Sequence, residues 1–138
     1  MSTKELEYNK LFKNIYSVDL GVPELTYNDF IHKNDKLYVK QNSHFPENKG
    51  IIVFYAPWCK HCRKISETII DLANEYTNLF YFGAVNVENT KEKNDYLAVY
   101  AGVKKLPWIM TIENDYSLKK FDNVVTEDNL IYFINTHL

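Results

Sequence analysis

Cysteine is nearly missing from this chain: its 138 residues hold two, Cys59 and Cys62, and no others. That argues against a disulfide-stapled scaffold, because a loop so small constrains little of the unfolded chain. Long apolar runs are missing too. The longest, "IIVFYAPW" (51–58), falls well short of the roughly 20 residues that a spanning helix needs. The N-terminal "MSTKELEYNKLFKNIYSVDL" scatters charges where a signal peptide would keep a continuous apolar core, and the C-terminal "INTHL" is not an ER-retention signal. No excess of one charge exists either: the net charge is −2 and no basic stripe is present, so neither nucleic acid nor a membrane is an expected partner. The expected address is a cytoplasmic or cytosol-like, reducing compartment. Arginine is reduced to Arg63 and alanine is scarce, while Asn, Lys, Tyr and Ile are abundant. That is the bias of an A/T-rich genome, such as a protist's or a large DNA virus's, and it makes packaging in a viral particle the other expected address.

What is present describes a globular protein. Hydrophobic residues make up 46% of the chain with both charge signs interspersed, and the length suits one compact domain burying about two-thirds of its unfolded surface. In residues 1–21, Leu6, Tyr8, Leu11, Phe12, Ile15 and Tyr16 approach helical spacing, with Ser2 and Glu5 placed for a capping box. A helical extension is expected there, followed by a domain over 22–138. "ELTYNDFIH" and "KLYVK" flank the turn-prone "KND" as a hairpin, and "QNSHFPENKG" reads as a surface connection. "IIVFYA" is a buried strand. From Cys59 the period changes: Cys62, Ile65, Ile69, Leu72, Ala73 and Tyr76 mark one face of a helix. "LFYFGAV" (79–85) is a second buried strand, and "NTKEKNDYLAVYA" (89–101) a helix capped by Asn89 or Thr90. "LPWIMTIE" (106–113) and "SLKKF" (117–121) form an antiparallel hairpin, and a final helix starts at the N-cap Thr126. The order strand, helix, strand, helix, strand, strand, helix makes an α/β fold. Its first β-α-β unit gives a parallel pair, its last strands pair antiparallel, and helices cover both faces of a mixed sheet.

The two cysteines sit where a strand meets a helix. Unpaired N–H groups and the helix dipole favour an anion there, which lowers a thiol pKa below the free value of ~8.5. Cys59, at the tip, is the expected nucleophile. Cys62, which opens the buried stripe, is the expected resolving thiol. Lys60 and His61 place positive charge beside the thiolate, which makes the disulfide more oxidising; the His61 effect weakens as pH rises. The competing reading is metal. One C-x-x-C is half of a four-coordinate site, no second pair exists, and His32, His44 and His137 are isolated in sequence, which leaves a cluster bridged between two subunits.

"FYAPWCKHC" resembles the active-site segment of the thioredoxin superfamily, and "APWC-x-HC" is most similar to protein disulfide isomerase-type domains. "GVKKLPW" lies where that superfamily has its cis-proline, and "FDNVVTEDNLIYFI" resembles its last strand, turn and helix. The resemblance covers roughly residues 50–138, with weaker agreement from about residue 22; the hairpin before "NKGIIVFYA" is more like the TlpA and nucleoredoxin branches. It implies a thioredoxin fold and assigns roles. Trp58 shields the attacking sulfur, Pro107 is cis against the cysteine pair, and the Leu106 backbone pairs with an extended substrate. Trp108 stands where Thr is common, narrowing the groove, adding a stacking surface or simply packing. Several positions depart from the pattern: Val53 replaces a buried acid, Ala84 the lysine paired with it, Val125 an arginine near the last helix, and Asn123 a glycine, as a residue tolerant of left-handed backbone.

The function so implied is thiol–disulfide exchange with protein substrates bearing thiols or disulfides, recycled by a reductase or glutathione, with no cofactor. The alternative is a non-catalytic interaction or structural module on the same fold, a particle component for instance, for which the loss of both buried charges argues.

Overall fold

The computed structural model describes residues 13–40 and 49–138. The Ser2/Glu5 box, most of the expected N-terminal helix, and the connection containing His44 lie outside the described residues.

A four-stranded mixed sheet organises the domain. Its strands are β3 (Gly50–Tyr55), β4 (Tyr81–Asn86), β5 (Trp108–Ile112) and β6 (Leu118–Lys120), in the order β4-β3-β5-β6, after the hairpin β1 (Phe30–Lys33) and β2 (Lys36–Val39). β3 pairs parallel with β4 and antiparallel with β5, and β5 pairs antiparallel with β6. The β3–β4 crossover runs through α1 (Lys60–Glu75); α2 (Asn94–Tyr100) and α3 (Glu127–His137) are the other α-helices among the described residues. At one edge, Glu24 forms a parallel bridge to Ala84, with Leu25 N–H donating to the Ala84 carbonyl at 2.7 Å. At the other, β2 meets the β6 end through a Tyr38–Ser117 bridge.

The central strand β3 is buried along its whole length, as its charge-free, β-branched and aromatic sequence requires. Alternation sends Ile51, Val53 and Tyr55 into one apolar cluster, with the buried faces of α1 and α3, and Ile52 and Phe54 into a second, with Leu97 of α2 and the hairpin's Leu37 and Val39. Gly50 is demanded by packing: a Cβ there would lie 2.4 Å from the Tyr81 carbonyl oxygen.

Local details depart from the sequence reading for identifiable reasons. The expected strand over 24–32 is interrupted because Thr26 and Asp29 form a capping box around a 3-10 turn, Tyr27–Asp29, so β1 begins only at Phe30. The expected helix over 89–101 comes in two pieces. Asn89 caps a 3-10 turn, Thr90–Glu92, by accepting the Glu92 amide at 3.3 Å, and Lys93 then turns left-handed (φ 59°) before α2 starts. Asn34 and Asp35 both have positive φ, the geometry of a two-residue hairpin. Asn123 is not among the described residues with left-handed backbone, so the glycine it replaces is not compensated in that way. Among the described residues before Val22, 13–17 carry no helix and Val18–Leu20 form a 3-10 turn. Ile15 and Tyr16 pack instead into the first cluster of the domain. Among the described residues no helix is long and apolar enough to cross a membrane.

Candidate active site

β3 ends at Tyr55, and the chain reverses through a Cys59 N–H to Ala56 carbonyl bond (3.0 Å) into α1. Cys59 is the N-cap, in extended backbone, and its Sγ accepts the Cys62 amide at 3.2 Å. One of the helix's orphan N–H groups therefore points at this sulfur, the arrangement that favours a thiolate when the pair is reduced. The two cysteines are joined as a disulfide with Cα atoms 5.2 Å apart. Exposure is unequal: Cys59 retains 7% and Cys62, on the inward face of the first turn, 1%. Only the first offers a surface to an incoming sulfur.

The neighbours fall into three groups. Lys60 and His61 are exposed on the outer side of the first turn, next in sequence to Cys59. Trp58, 55% exposed, donates its indole N–H to the Glu88 carboxylate at 3.0 Å. Glu88 is fixed in turn, its backbone N–H donating to Asn86 Oδ1 at 3.1 Å. The third group comes from the far end of the sequence. The Leu106–Pro107 peptide bond is cis, Pro107 is buried, and Leu106 packs against the cluster that contains both cysteines. An open cleft beside Pro107 is lined by Lys105, Trp108, Lys120, Asn123 and Val125. Trp108 contributes to that wall, but it belongs to the second cluster, opposite Phe54, with its N–H on Met110 Sδ and the Lys120 ammonium 4.9 Å from the ring centre. Most of its surface is spent on packing.

Val53 and Ala84 are direct register partners, 1% and 0% exposed, so the two missing charges leave a consistent apolar pair. The structure supplies a buried acid from elsewhere. Glu24, bridged to Ala84 at the sheet edge, accepts the Tyr55 hydroxyl and, at 3.4 Å, the Tyr16 amide. Burial outweighs these hydrogen bonds and raises its pKa to about 7. Burial, with Glu24 nearby, also pushes the Tyr55 and Tyr16 phenols far above their ordinary range. Neither Glu24 nor Glu88 carries a sequence signal: each is a single acid whose role depends on which strand ends fold beside it.

Of the histidines, His32 stacks on Tyr100 (centroids 3.9 Å apart) and His137 packs on Phe133 at the end of α3. Among the described residues no three His, Cys, Asp or Glu side chains are grouped as metal ligands.

Comparisons with known proteins agree with this geometry. The thioredoxin family model matches residues 29–136. A thioredoxin from Griffithsia pacifica is 31% identical over 86 residues, 62% of this chain and 72% of that protein. Thioredoxin 2 of Plasmodium falciparum is 32% identical over 88 residues, 64% of this chain and 54% of its own length. A protein disulfide-isomerase of Saccharomyces cerevisiae is 33% identical over 81 residues, 59% of this chain but 23% of that larger protein. A solved structure described as a malarial protein superposes with a TM-score of 0.55 at 30% identity, covering 67% of this chain and 99% of that one. A cysteine pair at a helix tip, a mixed sheet with helices on both faces, and a family match over most of the chain lead to one conclusion: the chain belongs to the thioredoxin family, a family of thiol–disulfide oxidoreductases.

Proposed function

We propose that this protein exchanges disulfides with protein substrates through Cys59 and Cys62. In the reduced protein, the Cys59 thiolate attacks one sulfur of a substrate disulfide; a mixed disulfide forms and the first substrate thiolate leaves and is protonated. Cys62 then loses its proton and attacks Cys59 Sγ. The intramolecular disulfide closes, the second substrate thiol is released, and two electrons and two protons have passed to the substrate. The oxidised pair accepts electrons by the reverse sequence from a substrate dithiol, or from a recycling reductase or glutathione. An extended substrate segment would pair with the Leu106 backbone, next in sequence to the Pro107 that lines the cleft. Lys60 and His61 bias the pair toward the oxidising side by stabilising the thiolate.

The observation that carries this reading is the Cys62 amide directed at Cys59 Sγ, with the partner sulfur almost wholly buried. Replacing Cys62 with Ser tests it. The variant accumulates mixed disulfides through Cys59 and fails to complete reduction of insulin, whereas the wild type completes it. Absence of adducts in the variant together with no insulin reduction by the wild type overturns the reading.

The apolar Val53–Ala84 pair favours a second reading, an interaction module that keeps the fold without the catalysis. It requires an ordinary thiol, so alkylation of reduced Cys59 would follow a pKa near ~8.5. The catalytic reading requires a pKa clearly below that.

A further inference from the structure

Glu24 lies in a row that crosses the sheet as Glu24, Ala84, Val53 and Ile109, on the side covered by α1 and α3. The other three residues are apolar and buried. Around the Glu24 carboxylate, the hydrogen-bond donors are neutral: the Tyr55 hydroxyl and the Tyr16 amide. The Tyr55 oxygen accepts the Ile15 amide at 3.0 Å, and the Tyr16 ring stands edge-on to Tyr55 at 5.2 Å. One carboxyl thus gathers residues 15 and 16 onto the end of β3. A second tie lies one residue earlier, where Asn86 Nδ2 donates to Asn14 Oδ1 at 3.0 Å. Asn86 Oδ1 accepts the Glu88 amide, and Glu88 holds the Trp58 indole. A continuous path of hydrogen bonds therefore joins residues 14–16 to the tryptophan beside the disulfide.

The ionisable groups facing Glu24 are Tyr55 from β3 and Tyr16 from the N-terminal segment. β4 contributes Ala84, α1 buries Ile65, Ser66, Ile69, Leu72 and Ala73 besides the disulfide-bonded Cys62, and α3 buries Leu130 and Ile134.

We propose that Glu24 is a proton-operated latch: neutral, it clamps residues 14–16 against the ends of β3 and β4; ionised, it lets that segment loosen, and the change reaches Trp58 through Asn86 and Glu88. A carboxylate among apolar side chains and neutral donors is the costly form, and opening restores it to water. With pKa values of about 7 closed and 4.5 open, linkage makes opening about twentyfold more favourable at pH 7.5 than at pH 5.5. The latch does not depend on the proposed exchange reaction and is read in the resting, oxidised protein.

Amide exchange by NMR on the oxidised full chain tests it, with rates corrected for intrinsic base catalysis. Protection at Ile15 and Tyr16 falls about twentyfold between pH 5.5 and 7.5, and the Trp58 indole N–H signal moves along the same titration. Glu24→Gln, which keeps an acceptor but cannot ionise, shows neither change. Tyr55→Phe, which keeps the ring and removes the hydroxyl, leaves Ile15 poorly protected at both pH values. Equal wild-type protection at both pH values, a Glu24→Gln variant that titrates like the wild type, full Ile15 protection in Tyr55→Phe, or a Trp58 signal that ignores the titration would each overturn the proposal.

Discussion

The indole of Trp58 and the carboxylate of Glu88, 30 residues apart in sequence, meet at 3.0 Å beside the disulfide. One precedes Cys59 on the β3–α1 turn, and the other follows the end of β4. Parallel strands end on the same side of a sheet, so the β3–β4 pairing itself delivers both residues to one rim. Glu88 thereby fixes the large exposed ring of Trp58, next in sequence to Cys59.

Removing the acceptor tests that role. Trp58 is more than half exposed, so the bond contributes modestly, about 0.5–1 kcal/mol. Glu88→Ala is expected to slow reduction of an insulin-type disulfide by about two- to fivefold and to change the Trp58 fluorescence response to reduction. Glu88→Gln retains an acceptor oxygen and stays near the wild-type rate. Equal rates for Glu88→Ala and the wild type would show that the ring position does not matter to exchange.

The Val53–Ala84 pair makes a sharper prediction because both side chains are shut away from water. Val53→Asp buries a carboxylate beside methyl groups and should cost about 3 kcal/mol or more of stability at neutral pH. Adding Ala84→Lys on the neighbouring strand supplies a counter-charge in register. The double variant is then less destabilised than the sum of the two single variants by about 1–3 kcal/mol, as read by denaturant unfolding. Strict additivity would mean that the two positions do not face each other across the strand pair.

Much of this architecture was legible because its signals are local or strictly periodic. The charge-free, β-branched and aromatic run at 51–56 read as a buried strand, and the three- and four-residue recurrence from Cys62 to Ala73 marked the buried stripe of α1. The cysteine positions at a helix tip followed from where one pattern stops and the other starts. What was not legible depends on geometry that sequence spacing does not encode. A left-handed Lys93 splits the second helix, although lysine carries no signal for that conformation. Trp108 was open between groove and core, and strand alternation opposite Phe54 puts it with the core. Glu24 had no visible meaning: an acid at a sheet edge becomes a buried acid only once Tyr16 and Tyr55 close over it.

That burial has a consequence for stability as well as for local opening. Glu24 has a pKa of about 7 when folded, against the ordinary glutamate value of 4.5 in the unfolded chain. Below pH 4.5 both states hold the proton and the group adds no pH dependence. Between 4.5 and 7 the unfolded chain has released the proton while the folded chain retains it, so stability falls as pH rises. Above 7 both forms are ionised and the loss, about 3 kcal/mol in all, levels off. Urea unfolding of the oxidised protein across this range should therefore show stability declining from pH 4.5 to 7, on top of the slopes of other groups, and Glu24→Gln should remove that component. The difference between wild type and variant is what isolates Glu24, and a difference that stays constant from pH 4.5 to 8 would show that this carboxyl is already ionised throughout.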